Sequence, residues 1–307
     1  MSKRARTIEE FRQIHHSSGD DRGEMAEALK FRPRPTDVII SPFGKSGTTW
    51  LQQMFHTLRS GGDTDYDDIS RVVPWIETSV SVGIDLDGEQ KANPRGYKSH
   101  LGYDHVPKGC RYIVSLRDLR DVAVSLYHFM VGWYIEPDTV GVNEFVRETI
   151  LKAPPGRDYA SHLNSWWAVR HEPTVLLMTY ESMRVSPEDT IRRVASHIGV
   201  HLTDDLLALT LERTSLEWML ANKDKFDDLL MRQVGAKRSG LPLESDGAKV
   251  RSGKVGSHGE ELDADVIAAL DAMWAERVQP VLGFENYEQL RAALEAEAAE
   301  KALQGGS

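Results

Sequence analysis

The stretch "SPFGKSGTTW", Ser41 to Trp50, follows a short apolar run, "DVII", and places one lysine, two glycines and four hydroxyls in ten residues. An apolar strand, a glycine-bearing turn and an apolar-periodic helix in that order form the start of a parallel α/β sheet. In such sheets, ligands sit beyond the carboxyl ends of the strands. The glycines let the backbone curl so that successive N–H groups converge on an anion, and the following helix adds its positive end. Lys45 brings a mobile ammonium, Thr48 and Thr49 bring hydroxyl donors. A Walker loop, G-x-x-x-x-G-K-[ST], ends on its lysine, poised on β- and γ-phosphates with a hydroxyl on Mg²⁺. Here the lysine comes first. The segment therefore offers a cradle for one phosphate and no arrangement for a triphosphate with its metal. The competing reading is a glycine turn without a ligand, and the segments downstream weigh against it.

The rest of the chain continues the alternation. "RGYKSH", "RYIVSLR" and "VLLMTYESM" read as further buried strands, and "TTWLQQMFHTLRSGG" and "LRDVAVSLYHFMVGWY" as helices. "SPEDTIRRVASHIGV" reads as another, with Ser186 as its N-cap and Pro187 in its first turn. The pattern predicts a doubly wound, mostly parallel central sheet with a P-loop-like strand-loop-helix and helices on both faces. One domain over residues 31–290 is expected, after a polar, mobile lead-in over 1–30 and before a C-terminal helix end and tail over 291–307. "VGAKRSGLPLESDGAKVRSGKVGSHGEEL" is polar and glycine-rich, and within it residues 235–260 read as a lid-like loop.

Composition narrows the function. The 307 residues carry 37 basic and 47 acidic side chains, a formal net charge of −10, which argues against a general nucleic-acid surface. An anionic ligand must be met by a local basic site. No run approaches the roughly 18 apolar residues of a membrane span. The N-terminal "MSKRARTIEEFRQIHH" lacks the apolar core of a secretory signal. The single cysteine, Cys110, leaves no disulfide framework and suits a reducing cytoplasm.

Three segments supply partners for the loop. In "RYIVSLRDLRDVAVSLYHFM", Arg117 ends a strand and Ser125 lies about two helical turns on. A guanidinium fork and a hydroxyl suit a second phosphate, and the plainer alternative is a surface arginine with a helix-interior serine. "RGYKSHLGYD" puts Lys98 and His100 two residues apart on one face of an extended segment. A histidine beside a lysine at a strand's carboxyl end is a candidate general base. "KVRSGKVGSH" adds Arg251 and Lys254 among glycines, which taken alone would read as a solvated basic linker.

Together these segments resemble the cytosolic-type sulfotransferases, which move a sulfuryl group from 3′-phosphoadenosine 5′-phosphosulfate (PAPS) to an acceptor hydroxyl or amine. The family's Y-P-K-S-G-T-T-W signature is kept here from Lys45 to Trp50. Its arginine, followed eight residues later by serine ahead of Y-H-F, matches Arg117, Ser125 and Tyr127-His128-Phe129. Its K-T-H segment corresponds to Lys98-Ser99-His100, its F-Y-E-D strand end to "MTYESM", and its T-S-F segment to Thr214-Ser215-Leu216. Its R-K-G-x-x-G signature appears as "RSGKVG", with Arg251, Gly253 and Gly256 kept and Ser252 in place of lysine. Gly44 and Phe43 replace the usual proline and tyrosine. The resemblance covers roughly residues 35 to 285, and the tail "WAERVQPVLGFENYEQL" looks more like bacterial members. The dimer motif of many animal members is not visible, so no oligomeric state is implied.

The resemblance implies a PAPS-dependent transferase with PAP as product and no required metal. Lys45, Ser46, Gly47, Thr48 and Thr49 would hold the 5′-phosphosulfate. Arg117, Ser125, Arg251, Ser252 and Gly253 would hold the 3′-phosphate, and Trp50, Tyr180 and Thr214 would flank the adenine. Lys98 would steady the sulfuryl oxygens while His100 takes the acceptor's proton. Phe43, Trp75, Tyr103, Phe129 and Trp133 are the candidates for an acceptor pocket suited to a phenol, alcohol or glycolipid, although each could equally fill the core. Two rivals remain at the level of sequence. A nucleotide-dependent kinase would need a Walker lysine after the glycines and a carboxylate for Mg²⁺. A non-catalytic PAPS-binding protein would not need the histidine.

Overall fold

A computed structural model describes residues 4–19, 22–244, 249, 256 and 258–305. Four short strands carry the apolar runs: β1 Val38–Ile40, β2 Gly96–Lys98, β3 Arg111–Leu116 and β4 Val175–Thr179. All pair in parallel, in the order β2-β1-β3-β4. The principal helices are α1 Ile8–Gly19, α2 Thr48–Ser60, α3 Leu119–Trp133, α4 Tyr159–Ala168, α5 Pro187–Ile198, α6 Leu229–Ser239, α7 Ala264–Arg277 and α8 Tyr287–Gly305.

A parallel sheet covered on both faces needs strands that are apolar throughout, which explains runs such as "VII" and "YIVSL". Alternate residues serve opposite cores. Val38, Ile40, Ile113 and Met178 pack with Leu51, Met54 and Phe55 of α2 and with Ile191 and Val194 of α5. Ile39, Tyr97, Val114 and Leu116 pack with Val122 of α3, Trp166 of α4, Leu270 of α7 and Leu290 of α8. The fold is the expected doubly wound α/β arrangement. From β1 the chain crosses to β2 on one side, and β3 then lies on the other side of β1. That reversal opens a crevice beyond the carboxyl ends of β1 and β3, where the phosphate-loop segment and Arg117 emerge.

The contact between α2 and β2 is close enough to exclude a side chain at Gly96, where a Cβ would fall 2.0 Å from Phe55 Cε1. Overpacking of this kind costs about 1–3 kcal/mol. Gly96→Ala is therefore expected to lower the denaturant midpoint without changing the slope. An unchanged midpoint would show that Phe55 swings aside freely.

Two expectations about the chain's organisation are corrected. In place of a mobile lead-in, α1 buries Ile8 and Phe11 at helical spacing, with Ala5 buried just before it. Ala5 N–H donates to the Tyr134 carbonyl at 2.8 Å, and Glu136 N–H donates to the Ala5 carbonyl at 2.8 Å. The apolar positions are three residues apart within a polar sequence, and that is enough to dock one face. The expected loop over 235–260 does not include its first residues, and 245–248, 250–255 and 257 lie outside the described residues. Gly235 to Ser239 complete α6, which Gly240 terminates in the left-handed region at φ 68°. Ser186 does stand at the cap of α5 with Pro187 in the first turn, but its side chain makes no capping bond. Among the described residues, no helix is long and apolar enough to cross a membrane.

Candidate active site

The loop after β1 is shaped by two left-handed residues, Lys45 at φ 65° and Gly47 at φ 94°. A Cβ on Gly47 would lie 2.9 Å from the Tyr180 ring, so glycine is required there both by conformation and by space. Ser41 anchors the loop's base: its Oγ donates to the Leu101 carbonyl at 2.8 Å, and its carbonyl accepts from His162 Nε2 at 3.0 Å. Ser46 is fully buried; its N–H donates to the Phe43 carbonyl at 3.1 Å, and its own carbonyl accepts from Ser115 Oγ. This modifies the expectation for Ser46, whose N–H closes the turn and is not directed at a ligand. From Gly47 onward the chain enters α2, whose first N–H groups have no partner inside the helix. Among the described residues, the buried Ser46 Oγ, Thr48 Oγ1 and Trp50 Nε1 also lack hydrogen-bond partners. A helix start beside buried hydroxyl and indole donors is an arrangement that suits an anion.

This loop opens on a cavity of about 680 Å³. Helix α3 runs along it, presenting Asp121, Ser125, Phe129 and Trp133 at four-residue intervals. Arg117, at the carboxyl end of β3, turns back into the loop: its Nη1 donates to the Lys45 carbonyl at 2.9 Å, and its guanidinium packs 4.3 Å from the Tyr180 ring centre. Trp50 meets the same ring edge-to-face at 6.0 Å. Lys45 Nζ lies 4.5 Å from the Phe129 ring centre.

Lys98 and His100 enter from the end of β2, clamped by the segment "PWIE". Lys98 N–H donates to the Pro74 carbonyl at 2.7 Å, and Lys98 Nζ sits 3.7 Å from the Trp75 ring centre. His100 N–H donates to Glu77 Oε1 at 2.7 Å, and Trp75 abuts the imidazole edge-to-face at 5.3 Å. His100 Nδ1 lies 2.8 Å from the Pro42 carbonyl. A carbonyl only accepts, so Nδ1 carries the proton and the Nε2 lone pair is left for a ligand.

The electrostatics follow from burial. Desolvation, helped by Lys98 and Lys249, holds the His100 pKa well below its usual value, so the ring is neutral at pH 7. Desolvation and the nearby Lys249 likewise bring Lys45 and Lys98 down to about 7 each, opposed in both cases by Asp228. Near pH 7 each therefore divides between its ammonium and amine forms. Among the described residues, no group of three or more His, Cys, Asp or Glu side chains is arranged to hold a metal.

Of the residues expected from sequence, Phe43, Lys45, Gly47, Thr48, Thr49, Trp50, Trp75, Lys98, His100, Arg117, Ser125, Phe129, Trp133, Tyr180 and Thr214 line this one cavity. Thr214 does so with its hydroxyl already donated to the Thr210 carbonyl at 2.6 Å. Tyr103 does not line it. Its ring packs against Tyr112 and Trp166 at 5.9 and 5.3 Å, while the preceding Leu101 and Gly102 still line the cavity. Arg251, Ser252, Gly253 and Lys254 lie outside the described residues.

Sequence reasoning missed three charged groups. Glu77 lies two residues after Trp75, which was expected only as part of an acceptor pocket. Asp228, left-handed at φ 53° at the start of α6, is buried and ion-paired with Lys249. Burial alone would raise the Asp228 pKa, but Lys249 and Lys98 outweigh it and hold the carboxyl below its usual value. Neither Asp228 nor Lys249 belongs to a motif; only the fold brings them to β2.

Comparison with known proteins agrees with this geometry. The family model described as "Sulfotransferase domain" matches residues 35–281. Sulfotransferase 1B1 of Canis lupus familiaris is 31% identical over 205 residues, 63% of this chain and 69% of that protein. Sulfotransferase 1E1 of Bos taurus is 30% identical over 204 residues, again 63% and 69%. Among solved structures, a retinol dehydratase in complex with androsterone and PAP superposes with a TM-score of 0.68 at 18% identity, covering 84% of this chain and 86% of that one. Mouse sulfotransferase SULT7A1 complexed with PAP gives 0.66 at 20% identity, covering 92% and 95%. At these identities the structures speak to the fold, which they share with this chain. The family match is what decides membership: it takes in every strand, the loop after β1 and the arginine after β3, and the chain belongs to the sulfotransferase family.

Proposed function

We propose that the cavity binds PAPS at its loop end and an apolar acceptor at its other end, and that His100 and the two lysines carry the transfer to a hydroxyl or amine. PAPS supplies the sulfuryl group, leaving as PAP when the acceptor takes it. One observation carries this reading: the loop after β1 and the first residues of α2 share a single cavity with a tautomer-fixed His100 and two lysines whose pKa values burial lowers to about 7.

The roles follow from position. The N–H groups of Gly47 to Thr49 and the Thr48 hydroxyl receive the 5′-phosphate, and Arg117 and Ser125 receive the 3′-phosphate. Trp50 and Tyr180, already edge-to-face, border the adenine. Lys45 stabilises charge on the oxygen between phosphorus and sulfur, and Lys98 steadies the sulfuryl oxygens. His100 Nε2 accepts the proton of the incoming hydroxyl. Positioning and preorganised charge supply most of the rate in such transfers, with little covalent work for the protein. Phe43, Trp75, Phe129 and Trp133 enclose the acceptor, which suits a phenol, an alcohol or a glycolipid. Cys110 is buried and unpaired, which fits a reducing compartment such as the cytoplasm.

The test is a binding series in metal-free buffer. PAPS is expected to bind, and the analogue lacking the 3′-phosphate to bind about 10- to 100-fold more weakly, as the loss of a charge-assisted contact predicts. In a parallel series with Mg²⁺ added, tighter binding of ATP than of PAPS would contradict the assignment.

Binding should also move protons. A polyanion favours charged lysines, so it raises the Lys45 and Lys98 pKa values from about 7. At pH 8 the free protein holds mostly neutral lysines, and PAPS should bind with proton uptake. Affinity should be flat below pH 7 and fall as pH rises above it. Calorimetry in two buffers of different ionisation enthalpy reads this directly, and equal heats in both at pH 8 would refute it.

A further inference from the structure

Helix α3 makes the cavity measurable along one axis. Ser125, Phe129 and Trp133 succeed one another by single turns, about 6 Å apart each. Ser125 belongs to the cofactor end and Phe129 lies under Lys45, at the reacting centre. Tyr134 comes about 7.5 Å beyond Phe129 along the same axis. There the His15 ring of α1 packs against Tyr134 with 5.3 Å between ring centres, and both residues line the cavity.

The element that supplies His15 lies outside the family match, which begins at residue 35. It is nonetheless fixed in place. Phe11 packs between Tyr134 and Phe145 at 6.0 and 5.8 Å. Ser18 Oγ meets Ser239 Oγ of α6 at 2.8 Å, and Arg12 pairs with Glu148 at 2.9 Å. A wall held by three separate parts of the chain does not yield easily to a ligand.

Resting on the sulfotransferase reading of the same cavity, we propose that α1 is the end wall of the acceptor site and that His15 sets the maximum length of acceptor beyond the sulfated hydroxyl. The class selected is an apolar acceptor with its hydroxyl at one end and a body that extends along α3 past Phe129 toward Tyr134. Up to the wall, each added methylene is buried against Phe129, Met130 and Trp133. Beyond it, the chain meets the imidazole.

The experiment uses the full chain and a series of 4-n-alkylphenols of increasing length, with affinity read by tryptophan fluorescence in the presence of PAP, since Trp75 and Trp133 line the cavity. In the unsubstituted protein, affinity should rise about fourfold per methylene and then stop at a definite length. His15→Ala should move that limit to longer phenols and His15→Trp to shorter ones, with PAP affinity unchanged in both. Thermal melts show whether each variant is folded, and either folded variant alone decides the matter. A limit that stays put in a folded variant overturns the proposal, as does affinity that climbs without limit in the unsubstituted protein. Sulfated product is assayed separately on the same series. A limit that shifts without any product supports the wall and counts against the sulfotransfer reading alone.

Discussion

Replacing His100 with alanine is expected to lower kcat by about 10²–10⁴-fold and leave PAPS affinity within a few-fold. The magnitude is that of general base catalysis, about 3–5 kcal/mol of barrier. The reason to expect it lies in three contacts. The Pro42 carbonyl fixes the proton on Nδ1, Glu77 holds the backbone N–H, and Trp75 supports the ring edge. Such an imidazole can do one thing well, which is to accept a proton at Nε2. Its pKa is held low in the free protein by burial and by Lys98, so it is unprotonated at neutral pH. An anionic cosubstrate opposes those lysines and raises its basicity when it is needed. Single-turnover rates with PAPS bound would read the chemical step alone. Full activity in the alanine variant would remove His100 from the mechanism.

Lys45→Met is expected to cost about 10²–10³-fold in kcat and to weaken PAPS binding as well. Methionine keeps an unbranched side chain at φ 65° and can still pack on Phe129, so the loop should hold its shape. The buried ammonium is already disfavoured, with its pKa down to about 7, and removing it should not destabilise the free protein. Lost turnover with an unchanged melting temperature would assign the effect to charge at the reacting centre. Equal losses in stability and activity would assign it to the loop's architecture.

The parts of the site written as one continuous segment were legible in the sequence. Strand, glycine turn and helix share the stretch from Asp37 to Ser60, and both the turn and the helix start can be read from residue order. Arg117 and Ser125 were legible for the same reason, since one strand-to-helix junction carries both, Arg117 just after β3 and Ser125 within α3. Lys98 and His100 required only the alternation of an extended segment. What was not legible depends on elements meeting across the fold. Glu77 reaches His100 through a segment clamped beside β2, and Asp228 arrives from α6, far along the chain. Tyr103 failed for the converse reason: it is close in sequence to His100, yet its ring packs on Tyr112 and Trp166. The N-terminal residues looked mobile because their apolar positions are few, yet Ile8 and Phe11 fall at the spacing that buries one helix face, and Ala5 is buried just before them.

The most direct test of the central claim is a single reaction with sulfur-labelled PAPS, a mixed panel of phenols, alcohols and amines, and a chelator throughout. PAP and a sulfated acceptor are expected in equal amounts, with the product lost in the His100→Ala protein while PAPS remains bound. PAPS bound by the unsubstituted protein with no sulfated product from any acceptor class would contradict it.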